Sequence, residues 1–185
     1  MANTAKHIIR PTVVLVAIAI VISGVVSVVY NLTKLPETVG LSEAATAKAT
    51  ELMGTDQLTT ILNDNYPEEV TGAAKTENGE YVIGVTSTGY GGEMELVVGF
   101  QSDDSVKGVA IVSAQETPGI GTKVTEGDEF TKQFAGLQGT ATIGENVDAI
   151  AGSTISSKAV TTGVNTAIEA LSLVKEGKEQ EGGGQ

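Results

Sequence analysis

The chain of 185 residues contains no cysteine. That removes disulfides, iron–sulfur clusters, thiolate metal sites and lipid attachment through a cysteine. Histidine is almost missing as well. The one histidine, His7, precedes a long apolar run, which excludes a histidine-based zinc site or catalytic triad in everything that follows. Positive charge is also scarce. All 23 Asp and Glu residues lie beyond residue 30, where nine of the 11 Lys and Arg residues accompany them, so that part carries −14. A field of that sign repels nucleic acid and anionic headgroups, and no nucleic-acid partner is expected. Any cofactor has to be held by oxygen, nitrogen and apolar surface, and no metal site is expected.

Residues 12–30 read TVVLVAIAIVISGVVSVVY, nineteen residues without a charge. As a helix, such a run crosses a hydrocarbon core of roughly 30 Å. A cleaved signal peptide, the main rival, has a shorter apolar core followed by a small-x-small site, and neither is clear here. Tyr30 ends the run where an aromatic side chain suits the membrane interface. Lys6, Arg10 and the terminal amine precede the run, whereas only Lys34 follows closely. That bias predicts a single-pass protein of the cell (inner) membrane, with the lipid bilayer as a partner. Residues 1–11 are then cytoplasmic and the remainder extracytoplasmic.

Beyond a linker at 31–41, punctuated by Pro36, the pattern predicts one domain over 42–175 and a disordered acidic, glycine-ended tail over 176–185. A helix is expected from Ser42, its N-cap, to a stop at Gly54. A short helical piece is expected within 56–65. Strands are expected at 80–87, 93–100 and 106–114, rich in Val, Ile, Thr and Tyr and joined by short polar turns. Short connections make neighbouring strands antiparallel. The fold class is therefore α+β: an antiparallel meander sheet packed by helices, following one N-terminal transmembrane helix. A helix capped by Thr125 is expected over 125–134, and a fourth short strand over 147–150. The longest soluble helix is expected over 156–175, with Val160, Val164, Ala167, Ile168, Leu171 and Val174 forming its apolar stripe.

Two glycine-rich loops fail the nucleotide-loop patterns. In Gly119-Ile120-Gly121-Thr122-Lys123 a threonine separates glycine from lysine, and Gly89-Tyr90-Gly91-Gly92 joins two strands rather than opening a helix. The segment Asp148–Lys158 is different in kind, because four hydroxyl residues lead straight into the long helix. Hydroxyls there serve either as ordinary N-caps or, with the free N–H groups and the dipole, as an anion site. Composition and spacing leave both open.

Asp148-Ala149-Ile150-Ala151-Gly152-Ser153-Thr154-Ile155-Ser156 resembles the flavinylation motif of the FMN-binding domain family, D-x-[IV]-[ST]-G-A-T-x-[ST]. Thr88-Gly89-Tyr90-Gly91-Gly92 resembles the family's GYxG strand entry, and Glu116-Thr117-Pro118-Gly119-Ile120-Gly121 resembles its ETPGLG loop. The sequence departs from the motif twice: Ala151 stands where the family has Ser or Thr, and Ser153 where it has Ala. Within the family the resemblance is to the G-subunit branch of Rnf-type ion-translocating electron-transport complexes. The C subunits of sodium-pumping NADH:quinone oxidoreductases are related and usually longer.

The resemblance implies a flavoprotein with covalent FMN, linked by a phosphoester to Thr154 with Ser153 as a neighbouring hydroxyl. It implies Gly152, Ser153, Ser156 and Ser157 around the phosphate, and a flavin transferase for maturation. It also implies other membrane subunits of an Rnf-type ferredoxin:NAD oxidoreductase complex as partners. An isoalloxazine ring needs an apolar slot with polar edges. Tyr90, Met94, Leu96 and Ile120 are the candidate walls, and Glu116, Thr117 and Gly119 the candidate edge of the loop. Met94 and Leu96 read equally well as strand core. No residue is expected to act as a catalytic acid or base, and the chain is expected to carry electrons rather than to be a complete enzyme. The alternatives are a stand-alone extracytoplasmic flavoprotein and an anchored scaffold domain without flavin.

Overall fold

The computed structural model describes the backbone of residues 2–33 and 40–179 and the side chains of residues 12–27 and 40–177. It divides into two units, residues 1–38 and 39–185. The first is a single helix, α1 (Ala2–Thr33). Its described side chains are all exposed, Leu15 and Ile20 each at 67%. Among the described residues no helix is long and apolar enough to cross a membrane; the nineteen-residue run ends at Tyr30, beyond the described side chains. The expected linker lies mostly outside the described residues.

The second unit begins with α2 (Glu43–Met53). Its ends follow the sequence expectation. The Ser42 hydroxyl accepts from the Ala45 N–H at 3.1 Å, and Gly54 closes the helix in the left-handed conformation. Five strands follow as a meander: β1 (Leu58–Leu62), β2 (Val70–Thr76), β3 (Tyr81–Thr88), β4 (Glu93–Phe100) and β5 (Val106–Ala114). After α3 (Thr122–Thr125) and a 3-10 turn (Thr131–Phe134) comes α4 (Thr154–Glu176), then β6 (Lys178–Glu179). All ladders are antiparallel, in the order β5-β4-β3-β2-β1-β6.

Both faces of the sheet are covered. Met94, Leu96, Val98 and Phe100 of β4 join Ile83 and Val85 in the core shared with α4, whose Val160, Val164, Ala167, Leu171 and Val174 are buried. Val82 and Val97 face the other way and meet Ala45, Ala49 and Met53 of α2. A strand buried on two faces has no polar side, which explains the unbroken apolar run LVVGF in β4. The same core takes in Phe130 and Phe134, stacked edge to face with centroids 5.6 Å apart.

Several elements differ from expectation. Residues 58–62, expected as part of a helical piece, form strand β1; Thr59, Thr60 and Ile61 are β-branched and prefer a pleated surface. Strand β2 carries Gly72, Ala73 and Ala74 at its centre, too small to give a strand signal; Ala73 packs in the core beneath α4, Ala74 in the cluster with α2, and the Gly40–Leu41 backbone lies directly on Gly72. The helix expected over 125–134 is broken: Gly127 has φ +82°, so one helical turn precedes it and a 3-10 turn follows. Thr125 ends α3 rather than capping a helix, its hydroxyl donating to the Thr122 carbonyl at 3.2 Å. The strand expected at 147–150 is one isolated bridge, Ile143 to Val147. Asp148 pairs instead with a side chain, its N–H donating to Gln133 Oε1 at 2.8 Å and its carbonyl accepting from Gln133 Nε2 at 3.1 Å. The tail is ordered at its start, since Lys178 and Glu179 pair with β1; residues 180–185 lie outside the described residues.

In the β4–β5 turn the Ser105 hydroxyl and N–H both donate to Asp103, at 2.6 and 3.1 Å, and hold that carboxyl below its ordinary range. Helix α4 sits close on the sheet at Gly163, where a Cβ would meet Leu96 Cδ1 at 2.6 Å. Leu96 is fully buried and has nowhere to move. Gly163→Val therefore lowers stability by about 2–3 kcal/mol through overpacking, read as a fall in the thermal unfolding midpoint of the isolated 39–185 unit.

Candidate functional site

Ile150 to Ser153 forms the turn that delivers the chain into α4. The Ser153 N–H donates to the Ile150 carbonyl at 2.9 Å, and Gly152 takes φ +81°. The Ser157 hydroxyl, one helical turn in, accepts the Ile150 N–H at 3.1 Å and ties the helix back to that turn. Ser153 occupies the cap position and is 2% exposed, yet its hydroxyl turns away from the helix and donates to the Ile120 carbonyl. No side chain caps α4. Ser153 is therefore not the ordinary side-chain cap that one of the two sequence readings expects. The N–H groups of Thr154, Ile155 and Ser156 make no hydrogen bond among the described residues and lie at the positive end of the helix dipole.

The hydroxyls around that helix start fall into distinct states. Thr154 is exposed, and its hydroxyl has no hydrogen-bond partner among the described residues. Ser153 and Ser157 are buried and committed to Ile120 and Ile150. Ser156 is fully buried, and its hydroxyl has no partner among the described residues. A buried hydroxyl without a partner is uncommon and calls for a reason.

Glu116 organises the two loops beside the helix. Its carboxylate accepts the Tyr90 N–H at 3.1 Å and the Gly91 N–H at 3.2 Å. A Cβ on either Gly89 or Gly121 would collide with that carboxylate, so both loops need glycine to close around it. Thr117 supplies a turn: its carbonyl accepts the N–H groups of Ile120 and Gly121, each at 3.1 Å. Gly119, at φ +76°, donates its N–H to the Thr122 hydroxyl at 3.0 Å. Glu116 is thus a brace between the loops, and its oxygens are not a free polar edge.

In the globular unit, the exposed large apolar residues among those described are Tyr90 (54%), Ile120 (42%) and Ile155 (54%). Tyr90 and Ile120 project from the two loops that Glu116 braces, and Ile155 follows Thr154. Ser153 links Ile120 to the start of α4, which draws these groups to one place. Exposed apolar side chains are thus carried by each of the three segments that these hydrogen bonds tie together. Met94 and Leu96 do not contribute, since both are fully buried in the core against α4; the strand-core reading holds for them. Ile155 was not singled out from sequence, because one isoleucine at the start of a helix carries no periodic signal by itself.

A groove of about 420 Å³ runs between α4 and the end of β3, lined by Thr88, Ile155, Lys158 and Thr162 among others. On the other side of the Gly152 turn, Lys123, Phe130, Gln133, Asp148 and Ile150 line a second groove of about 500 Å³. The start of α4 therefore offers an exposed hydroxyl at Thr154 and first-turn N–H groups, all without partners among the described residues, with the exposed Ile155 beside them.

Residues 89–169 match the FMN-binding domain family. The chain is 32% identical over 142 residues to the G subunit of the Na(+)-translocating ferredoxin:NAD(+) oxidoreductase complex of Acetobacterium woodii, covering 70% of this chain and 69% of that protein. It is 39% identical over 105 residues to the G subunit of the proton-translocating ferredoxin:NAD(+) oxidoreductase complex of Clostridium ljungdahlii, covering 53% of this chain and 56% of that protein. Among solved structures, the C subunit of the Na(+)-translocating NADH-quinone reductase from Parabacteroides distasonis aligns at a TM-score of 0.45 and 21% identity, over 57% of this chain and 61% of that one. With its matched segment spanning both braced loops and the start of α4, the chain belongs to the FMN-binding domain family, in the company of the G subunits of ion-translocating ferredoxin:NAD(+) oxidoreductase complexes.

Proposed function

We propose that the chain is a membrane-anchored electron-carrying subunit of an Rnf-type ion-translocating complex, with FMN joined to Thr154 by a phosphoester. The observation that carries this reading is the contrast between adjacent hydroxyls: Thr154 is exposed and unpartnered among the described residues, whereas Ser153 is buried and bonded to Ile120. That contrast favours Thr154 as the acceptor despite the second hydroxyl beside it. The residues present fit the group. An uncapped helix start suits a phosphate, the partnerless Ser156 hydroxyl is close by in sequence, and Tyr90, Ile120 and Ile155 offer apolar surface to a flat ring.

When bound, FMN supplies the redox chemistry. The chain's own part is attachment and orientation. Thr154 Oγ1 would provide the ester oxygen: on a flavin transferase it would attack the flavin-side phosphorus of a flavin dinucleotide donor, the pyrophosphate bond would break, and the hydroxyl proton and the adenylate would leave. The first-turn N–H groups of α4 hold the phosphate, and Glu116 keeps the loops that carry Tyr90 and Ile120 in register. A tethered flavin cannot diffuse away from an extracytoplasmic domain. The negative field of the domain disfavours added electron density and lowers the flavin potential.

The uncharged run at 12–30 and the continuous helix α1 support a single membrane anchor. Lys6 and Arg10 before it support a cytoplasmic N-terminus and an extracytoplasmic domain. Partner membrane subunits are supported by the names of the relatives.

Co-expression with a flavin transferase followed by intact mass measurement tests the attachment. Wild type and Ser153→Ala gain the mass of one FMN phosphoester, and Thr154→Ala gains none; an adduct on Thr154→Ala sinks the assignment. Glu116→Ala frees the Tyr90 and Gly91 amides and costs about 1 kcal/mol, seen as a lower melting temperature and faster hydrogen exchange at those two amides. The full chain sediments with membranes and resists carbonate extraction, whereas the chain lacking residues 1–38 stays in the supernatant.

A further inference from the structure

Lysine is scarce in the globular unit, and most lysines are engaged. Lys48 pairs with Glu51 at 3.0 Å, Lys107 with Glu80 at 2.8 Å, Lys132 with Asp128 at 2.9 Å, and Lys175 with Asp104. The Lys75 ammonium lies 6.0 Å from the centroid of the Tyr81 ring. Lys123 and Lys158 stand apart. Among the described residues neither makes an ion pair or a hydrogen bond, and both are exposed.

An unpaired surface lysine is commonplace, since an exposed ion pair contributes only about 0–1 kcal/mol. The placement of these two is what matters. A Cβ on Gly152 would lie 3.9 Å from the Lys123 ammonium, which puts that charge against the turn leading into Thr154. Lys158 follows Thr154 by four residues on α4, so the two share a helix face, and it lines one groove with Ile155, the neighbour of Thr154. Helical side chains lean toward the N-terminus, which directs Lys158 toward the turn that holds Thr154. Carboxylates are present on both sides: Glu126, Glu129 and Asp148 line the groove with Lys123, and Glu69 lines the groove with Lys158. None lies within ion-pairing distance of either lysine among the described residues. In a chain of net charge −12, two free cations beside one free hydroxyl form a local site for an anion.

We propose that Lys123 and Lys158 bracket the phosphodiester at Thr154, Lys123 from the Gly152 turn and Lys158 from the helix face. This rests on the reading of Thr154 as the attachment point. A phosphodiester carries one negative charge, and two ammonium groups together with the α4 N–H groups neutralise it within an otherwise repulsive field. Neither lysine takes part in forming the bond; both are positioning residues for the phosphate.

The test compares wild type, Lys123→Gln/Lys158→Gln, the charge-keeping Lys123→Arg/Lys158→Arg, and Lys48→Gln/Lys132→Gln, which removes the same charge elsewhere. Flavinylation of the purified full-length chains is followed by intact mass over time at low and high salt, and the phosphorus-31 resonance is recorded on each finished adduct. The Lys123/Lys158 glutamine variant is expected to flavinylate about tenfold more slowly at low salt, with the difference shrinking as salt rises. Its phosphorus resonance is expected to be displaced from wild type. The arginine variant and the Lys48/Lys132 variant are expected to behave as wild type in both readouts. Equal rates and an unmoved resonance overturn the bracket while leaving the Thr154 adduct in place. A slower rate with an unmoved resonance assigns the lysines to contact with the transferase and also overturns it. Absence of an adduct on wild type, by contrast, removes the attachment reading itself.

Discussion

The close seat of α4 on the sheet governs the geometry of this domain. At Gly163 the helix backbone approaches Leu96 so tightly that no side chain fits between them, and Val160, Val164 and Ala167 extend the contact on either side. That contact fixes where α4 begins. The Ser157 hydroxyl then draws Ile150 back against the helix, and the Ser153 hydroxyl fastens the Ile120 loop to its start. Tyr90 is brought in at one remove, through Glu116. A surface site built wholly of loops and one helix end thus inherits its precision from a buried contact.

The division of labour among hydroxyls follows from the same arrangement. Ser153 and Ser157 are consumed in holding the turn, and Thr154, which is exposed, is left free. A serine in the cap position would ordinarily satisfy a helix N–H group; here it bonds a neighbouring loop, and the first-turn donors have no partner among the described residues. The acidity of the chain sharpens the contrast. An anion at the start of α4 meets repulsion from most of the surface and attraction only from the helix end and the lysines nearest to it.

Much of the fold was legible in sequence where one signal dominated. Ser42 and Gly54 bounded α2, the Val- and Ile-rich runs gave β3 to β5, and the three- and four-residue spacing gave α4. The rest depended on tertiary context. Strand β2 is made of Gly and Ala where the Gly40–Leu41 backbone lies on Gly72 and α4 covers Ala73, and small residues carry no strand signature. Residues 58–62 sat among polar neighbours that suggested a helical piece, although Thr and Ile favour strand. Gly127 broke a helix that the acids around it pointed to. At the site, Thr154 and the two loops are reached through the family motif, and only the direction of the Ser153 hydroxyl shows that this serine is not an ordinary side-chain cap. Met94 and Leu96 were misplaced as walls because strand alternation does not say which face is covered. Ile155 and Lys158 neighbour Thr154 along the chain but carry no signal of a site by themselves, and Lys123 is brought beside the Gly152 turn only by the fold.

The burial of Met94 and Leu96 separates interior from surface in this domain. The core beneath α4 is filled by the chain's own side chains, and Thr154 lies outside it, exposed. A substitution at Thr154 therefore removes nothing from that core, so the surface chemistry at the start of α4 can vary independently of folding stability.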